Sequence, residues 1–403
     1  MDKKKFIVTM NIAVLIIVIA LILPGNRIYK DNTKDEDMDK EQKFISSLDS
    51  KEEFKYLTSL IENNYVNYPY LTTSNKLDFN SLKDKYSKKL ENNLSLPEYK
   101  SLIKSYLNEF QDEALYILEY DNYLNLYNNY SNRNESTLKN IVTNPEVKKI
   151  YSEFKKETKE VKANSNLVLD TQDNKVAIIR VDDFNNKYKI EDQKKILEFL
   201  EKSNSYKYIA IDIRKSHGNS IDYAIENIIK PLSHHTNIAD FKVLQRTKDF
   251  PNTLRDLNII SGITVSEDYI DSKGNVNLQK DEQVEQFPFY QSYSFKDMGT
   301  NKANFKGKVF ILQSKETTGA ADFISQFANR TNFGETVGTL TKGGGIAPIN
   351  SIVELPKSHL LLSLPYSTGI NEDGYLNNLN GTYPEIPLDQ NADSLDYILN
   401  MIN

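Results

Sequence analysis

The chain contains no cysteine and no tryptophan, and only four histidines among its 403 residues. Without cysteine there is no disulfide framework, no thiolate metal site and no thiol nucleophile, so the fold must stand on its buried core alone. The histidines, His217, His234, His235 and His359, do not fall at zinc-ligand spacing, and the adjacent pair reads as a solvated loop. No metal is expected. No other cofactor is expected either: the one dense glycine run, Gly343-Gly-Gly345, lacks the GK[ST] helix start of a phosphate-binding loop. Excess positive charge is missing as well. The formal net charge is −6, which argues against a nucleic-acid partner, since such a surface needs a basic stripe.

One long apolar run is present, and only one. Residues 1–24 read MDKKKFIVTMNIAVLIIVIALILP, a lysine cluster followed by a stretch from Phe6 to Leu23 long enough to cross a bilayer. No A-x-A-like cleavage pattern closes it, so an uncleaved transmembrane anchor is expected rather than a signal peptide. Lys3 to Lys5 place the N-terminus in the cytoplasm, and everything after Gly25 outside, at the cell membrane. Residues 1–24 carry three lysines and one aspartate, net +2, which leaves −8 for the remainder. The abundance of tyrosine, asparagine and lysine suggests an AT-rich bacterial genome.

Residues 25–45 are polar and charge-dense and read as a tether. Helices are expected over 46–165. Ser50-Lys-Glu-Glu53 reads as a capping box, and Ser95-Leu-Pro-Glu98 opens a further helix with an unbroken apolar stripe from Tyr99 to Phe110. Residues 119–135 show no clear period and read as loop or irregular helix. A charged, mostly exposed helix is predicted from about Pro145 to Lys162. From 166 to 403 the pattern becomes α/β: two antiparallel strands (Asn166 to Asp170, Lys175 to Val181), then strands alternating with helices. Residues 249–305 are polar and aromatic without a strong period, and read as an insertion that covers or gates a site.

The chemistry-bearing stretch is 307–345, GKVFILQSKETTGAADFISQFANRTNFGETVGTLTKGGG. An apolar strand, Lys308 to Gln313, meets a helix from Ala320 to Asn329 through the sharp turn KETTG, the kind of strand-to-helix junction that presents a nucleophile and aims helix N–H groups at an oxyanion. A second strand, Tyr208 to Arg214, ends in the polar turn IDIRKSHGNS, where ligands sit in a parallel sheet.

Four segments in this order resemble the tail-specific, or C-terminal processing, serine peptidase family, which includes tricorn-like members. IDIRKSHGNS resembles its D-x-R-x-x-x-G-G strand end, VFILQSKETTGAADF its nucleophile strand and S-A-[AS]-E helix start, GETVGTLTKGGG its G-E-x-T-x-G segment, and GTYPEIPLD its closing run. The resemblance implies an α/β, crotonase-like ββα peptidase core with a mixed sheet flanked by helices, preceded by a helical N-terminal region and one transmembrane helix. It implies a serine nucleophile three residues before Asp322, and that slot holds Gly319. The base lysine of the processing enzymes is matched approximately by Lys342. The histidine that tricorn-like members use is absent, because the corresponding place reads Gln111-Asp-Glu-Ala114. The oxyanion turn maps to His217-Gly218, with Ala320 as the first helical N–H.

Three functions are consistent with these residues. The first is a degenerate family member that binds an extended polypeptide, or a small apolar ligand, in the old cleft without cutting it. The second is an active peptidase with Thr318, or Ser314, as relocated nucleophile and Lys342 as base. The third is a structural, partner-binding ectodomain. Thr317 and Thr318 also have a purely structural reading, as caps of the helix beginning at Ala320.

Overall fold

In the computed structural model the described residues are 44–402, except 74–75, 134–135, 137, 156–166, 173–174, 248–261, 267–269, 272–286, 301 and 348–349. The expected anchor (1–24) and nearly all of the expected tether lie outside them. Among the described residues no helix is long and apolar enough to cross a membrane.

The first half of the described chain is helical, with principal helices α1 (Ser47–Asn64), α2 (Phe79–Ser87), α3 (Leu96–Asn108), α4 (Tyr120–Tyr130) and α5 (Pro145–Phe154). At α3 the capping box of Ser95 and Glu98 forms as read from sequence. At α1 the start differs. Ser46 caps the helix, accepting from Asp49 N, and Ser50 and Glu53 lie buried inside it. The pair Ser46 and Asp49 has cap spacing too, four residues earlier, and wins because burial gives Glu53 another partner. Its carboxylate accepts from Lys357 N at 2.5 Å, Ser358 N at 2.8 Å and Ser358 Oγ at 2.6 Å.

That turn joins two late strands, Ser351–Glu354 and Leu361–Leu364, whose side chains enter the helical core. Ile352, Leu355, Leu360, Leu361, Leu362 and Leu364 pack in one cluster with Leu57, Tyr99, Tyr106 and Tyr151. Glu53→Ala would strand three donors, two of them backbone, at about 1–3 kcal/mol for each donor left unsatisfied. We expect the urea midpoint to fall by the equivalent of about 3 kcal/mol, with Glu53→Gln recovering part of it.

Helix α4 forms although its sequence shows no period. Tyr123, its one buried residue, stacks on Tyr151 with ring centroids 4.5 Å apart and donates its hydroxyl to Val142 O. Tyr120, Leu126, Tyr127 and Tyr130, each partly buried, pack against the same core around it. Helix α5 buries Val147, Ile150, Tyr151 and Phe154, more than the exposed helix expected. Its extension towards Lys162 falls outside the described residues.

The strands that follow are, in chain order, β1 (Leu167–Gln172), β2 (Val176–Val181), β3 (Tyr208–Asp212), β4 (Asn237–Gln245), β5 (Ile263–Val265), β6 (Ile270–Asp271), β7 (Phe289–Asp297), β8 (Lys308–Gln313), β9 (Glu335–Gly338), then the 351–364 hairpin as β10 and β11, β12 (Ser367–Ile370) and β13 (Ile386–Pro387). The main sheet has the order β13-β9-β8-β3-β2-β1. It is parallel except for β1, which forms the expected antiparallel pair with β2. Ile179, Ile211 and Ile311 sit in register across its centre and are fully buried, each stabilising the fold by roughly 1.5–3 kcal/mol. The strands read as continuous apolar runs because both faces are covered. One face packs on helix α6 (Lys189–Lys202) and helix α7 (Ala320–Asn329), the other on helix α8 (Ser394–Ile402) through Ile398.

A second sheet, β12-β4-β7-β5 with β6 also on β7, corrects the reading of 249–305 as a cover alone. Within that stretch β7 pairs with all nine residues of β4. Its core face is Gln291, Tyr293, Phe295 and Asp297, a period of two whose polar ends dilute the apolar signal. Phe241, Phe295, Phe323 and Phe327 join this sheet to α7.

Candidate functional site

Strand β3 ends at Asp212, whose buried carboxylate takes a two-pronged bond from Arg214 (Nε to Oδ1 2.8 Å, Nη2 to Oδ2 2.9 Å) and a third from Arg180 at 2.9 Å. Burial alone would raise this carboxyl, but the Arg214 fork, with Arg180, holds it below the usual carboxylate range. Arg214 also reaches Asp393 at 2.9 Å, so the strand end is clamped to the start of α8. The chain beyond it, Lys215 to Ser220, is thereby fixed over the end of β8.

The turn after β8 is held just as tightly. Thr317 Oγ1 donates to Ile213 O at 2.8 Å and accepts from Ser314 N at 2.9 Å. Ser314 Oγ donates to Arg214 O at 2.5 Å. Thr318 donates its backbone N–H to Ser216 O at 3.1 Å and its hydroxyl to Gly343 O at 2.9 Å. Neither threonine caps α7, contrary to the structural reading of the pair. The N-cap is Gly319, and both hydroxyls bind carbonyls of neighbouring segments.

Gly319 adopts φ +62° and ψ −127°, a conformation that only glycine enters without strain. A Cβ there would stand 2.4 Å from Gly218 O and 2.5 Å from Asn219 Oδ1. The same Gly218 carbonyl accepts the Ala320 N–H at 2.9 Å, and the Gly319 N–H donates to Gly343 O at 3.1 Å. The two helix-start donors that an oxyanion hole would aim at substrate are both bonded to backbone carbonyls. His217 is exposed and its Nδ1 lies 2.5 Å from Asp182 O. Beside it, burial pushes the Asp183 carboxyl up, with His217 pulling the other way.

The glycine loop completes the site. Lys342 N donates to Thr317 O at 2.8 Å, which brings Lys342 beside the turn, but its amine points to solvent. It is 58% exposed, and its ion-pair partner, at 3.8 Å, is Glu113, itself 85% exposed. Among the described residues no hydrogen bond joins this amine to Thr318, Thr317 or Ser314. Beneath the loop lies Asp322, fully buried, accepting from Thr341 Oγ1 and Thr382 Oγ1 at 2.5 Å each, Gly345 N at 2.9 Å and Asn377 Nδ2 at 3.0 Å. Asn377 in turn accepts from Gly344 N at 2.9 Å. Burial raises the Asp322 carboxyl in spite of these four donors.

A cleft of about 390 Å³ lies over these groups. His217, Gly218, Thr318, Gly319 and Lys342 all line it, and Ala320 lies just beneath, fully buried. The opposite wall comes from the helical part: Phe110, expected in the apolar stripe of α3, Asp112, and Tyr65, Asn67 and Tyr70, which the sequence does not single out. Tyr65 OH donates to Asp112 Oδ2 at 2.8 Å within this wall, and Asn378 Nδ2 donates to Asn67 Oδ1 at 2.5 Å, which ties the two walls together at one end. Gln111 holds φ +54°, and that backbone kink at the place matched to the tricorn-like histidine motif turns residues 111–114 towards the cleft. Among the described residues no group of three or more His, Asp or Glu side chains could hold a metal ion.

The description peptidase family S41 matches residues 175–388, more than half of the chain. No curated protein matches it. Among solved structures, a candidate peptidase from Parabacteroides merdae is similar over 89% of this chain and 97% of its own, at 12% identity and TM-score 0.51. Mature CPAF aligns over 85% and 93%, at 10% identity and TM-score 0.48. The photosystem II D1 C-terminal processing protease aligns over 85% and 93%, at 13% identity and TM-score 0.44. At these identities the first likeness speaks to fold alone.

Proposed function

Because the chain belongs to peptidase family S41, we propose that it is a member whose catalytic centre has lost hydrolysis and whose cleft binds an extended polypeptide outside the cell, at the membrane to which residues 1–24 anchor it. The observation that carries this reading is the packing at the nucleophile slot. Gly319 has no space for a side chain, and the two donors that would receive an oxyanion are taken, Ala320 N–H by the carbonyl of Gly218 and Gly319 N–H by that of Gly343. The relocated alternative has the weaker geometry: each nearby hydroxyl donates to a carbonyl, and a nucleophile needs a base within hydrogen-bond reach. The cleft remains suited to binding, with aromatic Tyr70 and Phe110 on one wall and asparagine amides and backbone groups on the other.

The test is to incubate the full chain with an unfolded polypeptide and, separately, with a fluorophosphonate probe. We expect saturable binding, no shortening of the polypeptide and no labelling. Tyr70→Ala should weaken binding roughly fivefold to tenfold, the usual effect of truncating an aromatic anchor. Cleavage or labelling that disappears in Thr318→Ala or Lys342→Ala would overturn the reading.

A further inference from the structure

The second sheet leaves part of one strand open. On one side β4 pairs with β7 along its whole length, Asn237 to Gln245. On the other side β12 covers only Lys242 to Gln245, ending with Ile370 opposite Lys242. From Asn237 to Phe241 that outer edge has no strand partner among the described residues. In an antiparallel ladder alternate residues turn their N–H and C=O groups to each side, so half of this five-residue stretch directs its backbone groups outward. Native proteins seldom leave such an edge without a charge, a cover or a partner.

A groove of about 650 Å³ runs along this edge, lined by Ile238, Asp240, Lys242, Arg330, Asn371 and Glu372 among others, and it shares no lining residue with the cleft over Gly319. Each side of the groove carries both signs of charge, Asp240 and Lys242 on the strand and Arg330 with Glu372 and Asp373 opposite. On the solvent face of β4, Ile238 is 56% exposed, with Asp240 and Lys242 exposed beside it. On the inner side the Arg330 guanidinium lies 5.0 Å from the Phe241 ring centroid and donates to Gln326 O at 3.3 Å and Ile370 O at 3.4 Å. It forms no ion pair with a described carboxylate. Burial lowers its pKa, with Glu372 opposing. A largely buried guanidinium bonded only to neutral oxygens, at the end of β12, is an anchor for an incoming carboxylate.

We propose that the outer edge of β4 from Asn237 to Phe241 is a docking site for an extended segment of a partner polypeptide, added to the sheet in line with β12. Main-chain bonds to β4 hold the segment, an inward-facing Asp or Glu side chain pairs with Arg330, and the outward-facing neighbours are basic, beside Asp240. The period of two in a strand puts these requirements on alternate residues, inward acid flanked by outward lysine or arginine.

The probe is a labelled acetyl-Thr-Val-Lys-Glu-Lys-Val-Thr-amide carrying a photo-crosslinker, titrated against the full chain. We expect it to bind about tenfold more tightly than the same peptide with glutamine in place of glutamate, as a charge-assisted pair in a partly dry groove allows. Backbone N-methylation should abolish binding, and crosslinks should fall within 237–245. In Arg330→Gln the preference for glutamate should vanish. Absence of binding, equal binding of both peptides by the unaltered chain, tolerance of N-methylation, or crosslinks in the cleft lined by Thr318 and Lys342 would each overturn the assignment. So would sedimentation showing that the edge is closed by a second copy of this chain, with the peptide competing only for that contact. The comparison of peptides on the unaltered chain holds even where Arg330→Gln fails to fold.

Discussion

Asp322→Ala is expected to cost on the order of 4–6 kcal/mol and to abolish polypeptide binding in the cleft, the largest effect of any single change proposed for this chain. The reason is the number of donors left behind. Thr341 Oγ1, Thr382 Oγ1, Asn377 Nδ2 and Gly345 N all end on this one carboxylate, and a buried donor without a partner costs about 1–3 kcal/mol. Partial relaxation of the two threonine hydroxyls keeps the total below the simple sum. Against a net stability of about 5–15 kcal/mol for a natural domain, this leaves little reserve. The effect also reaches the cleft by a traceable route: Asp322 orients Asn377, Asn377 holds Gly344 N, and Gly343 O receives both the Gly319 N–H and the Thr318 hydroxyl. Urea unfolding measures the first consequence and peptide titration the second. Unchanged binding by a folded Asp322→Ala would show that the loop keeps its shape without the carboxylate.

The conservative change separates shape from charge. Asp322→Asn retains one acceptor but turns an amide NH₂ towards the Gly345 and Asn377 donors, so roughly half the loss is expected. Its pH dependence has a defined sign. Burial raises the Asp322 carboxyl above its unfolded value, so the fold favours the protonated form. The resulting stability is fully present below the unfolded pKa and is lost as pH rises through the folded one. Asparagine has no such term. The stability advantage of the unaltered chain over Asp322→Asn should therefore shrink as pH is raised from the usual carboxylate range. An advantage that grows with pH would mean that the four donors outweigh burial.

How far such a site is legible in sequence depends on how local its causes are. The strand Lys308–Gln313, the turn and the helix Ala320–Asn329 follow one another directly in the chain, and apolar run, glycine and helical spacing mark them without tertiary information. The resemblance of four ordered segments also brings Ile211–Ser220, the glycine loop and the closing run to one place, and the structure does assemble them. What stays hidden is set by long-range partners. Glu53 looks like a capping acid until the turn at Lys357–Ser358 arrives 304 and 305 residues later in sequence. Residues 289–297 look irregular because the inward positions Gln291 and Asp297 are polar. The helical wall of the cleft reads as ordinary core because Tyr65 and Phe110 pack in it while also facing the groove. Asn377 gives no signal at all, since an asparagine amid asparagines is indistinguishable from loop.

Reintroducing the family's nucleophile by Gly319→Ser is expected to produce no hydrolase and a less stable protein. Serine at φ +62° carries the strain of a left-handed conformation, of order 1–3 kcal/mol. Its Cβ would meet Gly218 O at 2.4 Å and Asn219 Oδ1 at 2.5 Å, and the first of these is backbone, so relief requires the 218–219 peptide to move. That peptide is restrained: Gly218 O accepts the Ala320 N–H, and Ser220 N donates to Phe184 O. Gly218 itself sits at φ +90°, and a Cβ there would stand 2.6 Å from Phe184 O and 2.7 Å from Asp183 Oδ1. Were the peptide to turn, the Ala320 donor would be freed, but the Lys342 amine, the base candidate, would still stand in solvent beside Glu113. A misplacement of ~1 Å already costs on the order of a hundredfold in rate. The measurements are thermal unfolding and fluorophosphonate labelling of Gly319→Ser beside the unaltered chain. We expect a melting temperature lower by roughly 2–4 °C, for a loss of about 2 kcal/mol in a compact unit that runs from Lys43 to Asn403, and no label. Labelling of Gly319→Ser at wild-type stability would show instead that the turn at Gly218 opens readily and that only the hydroxyl separates this chain from an active peptidase.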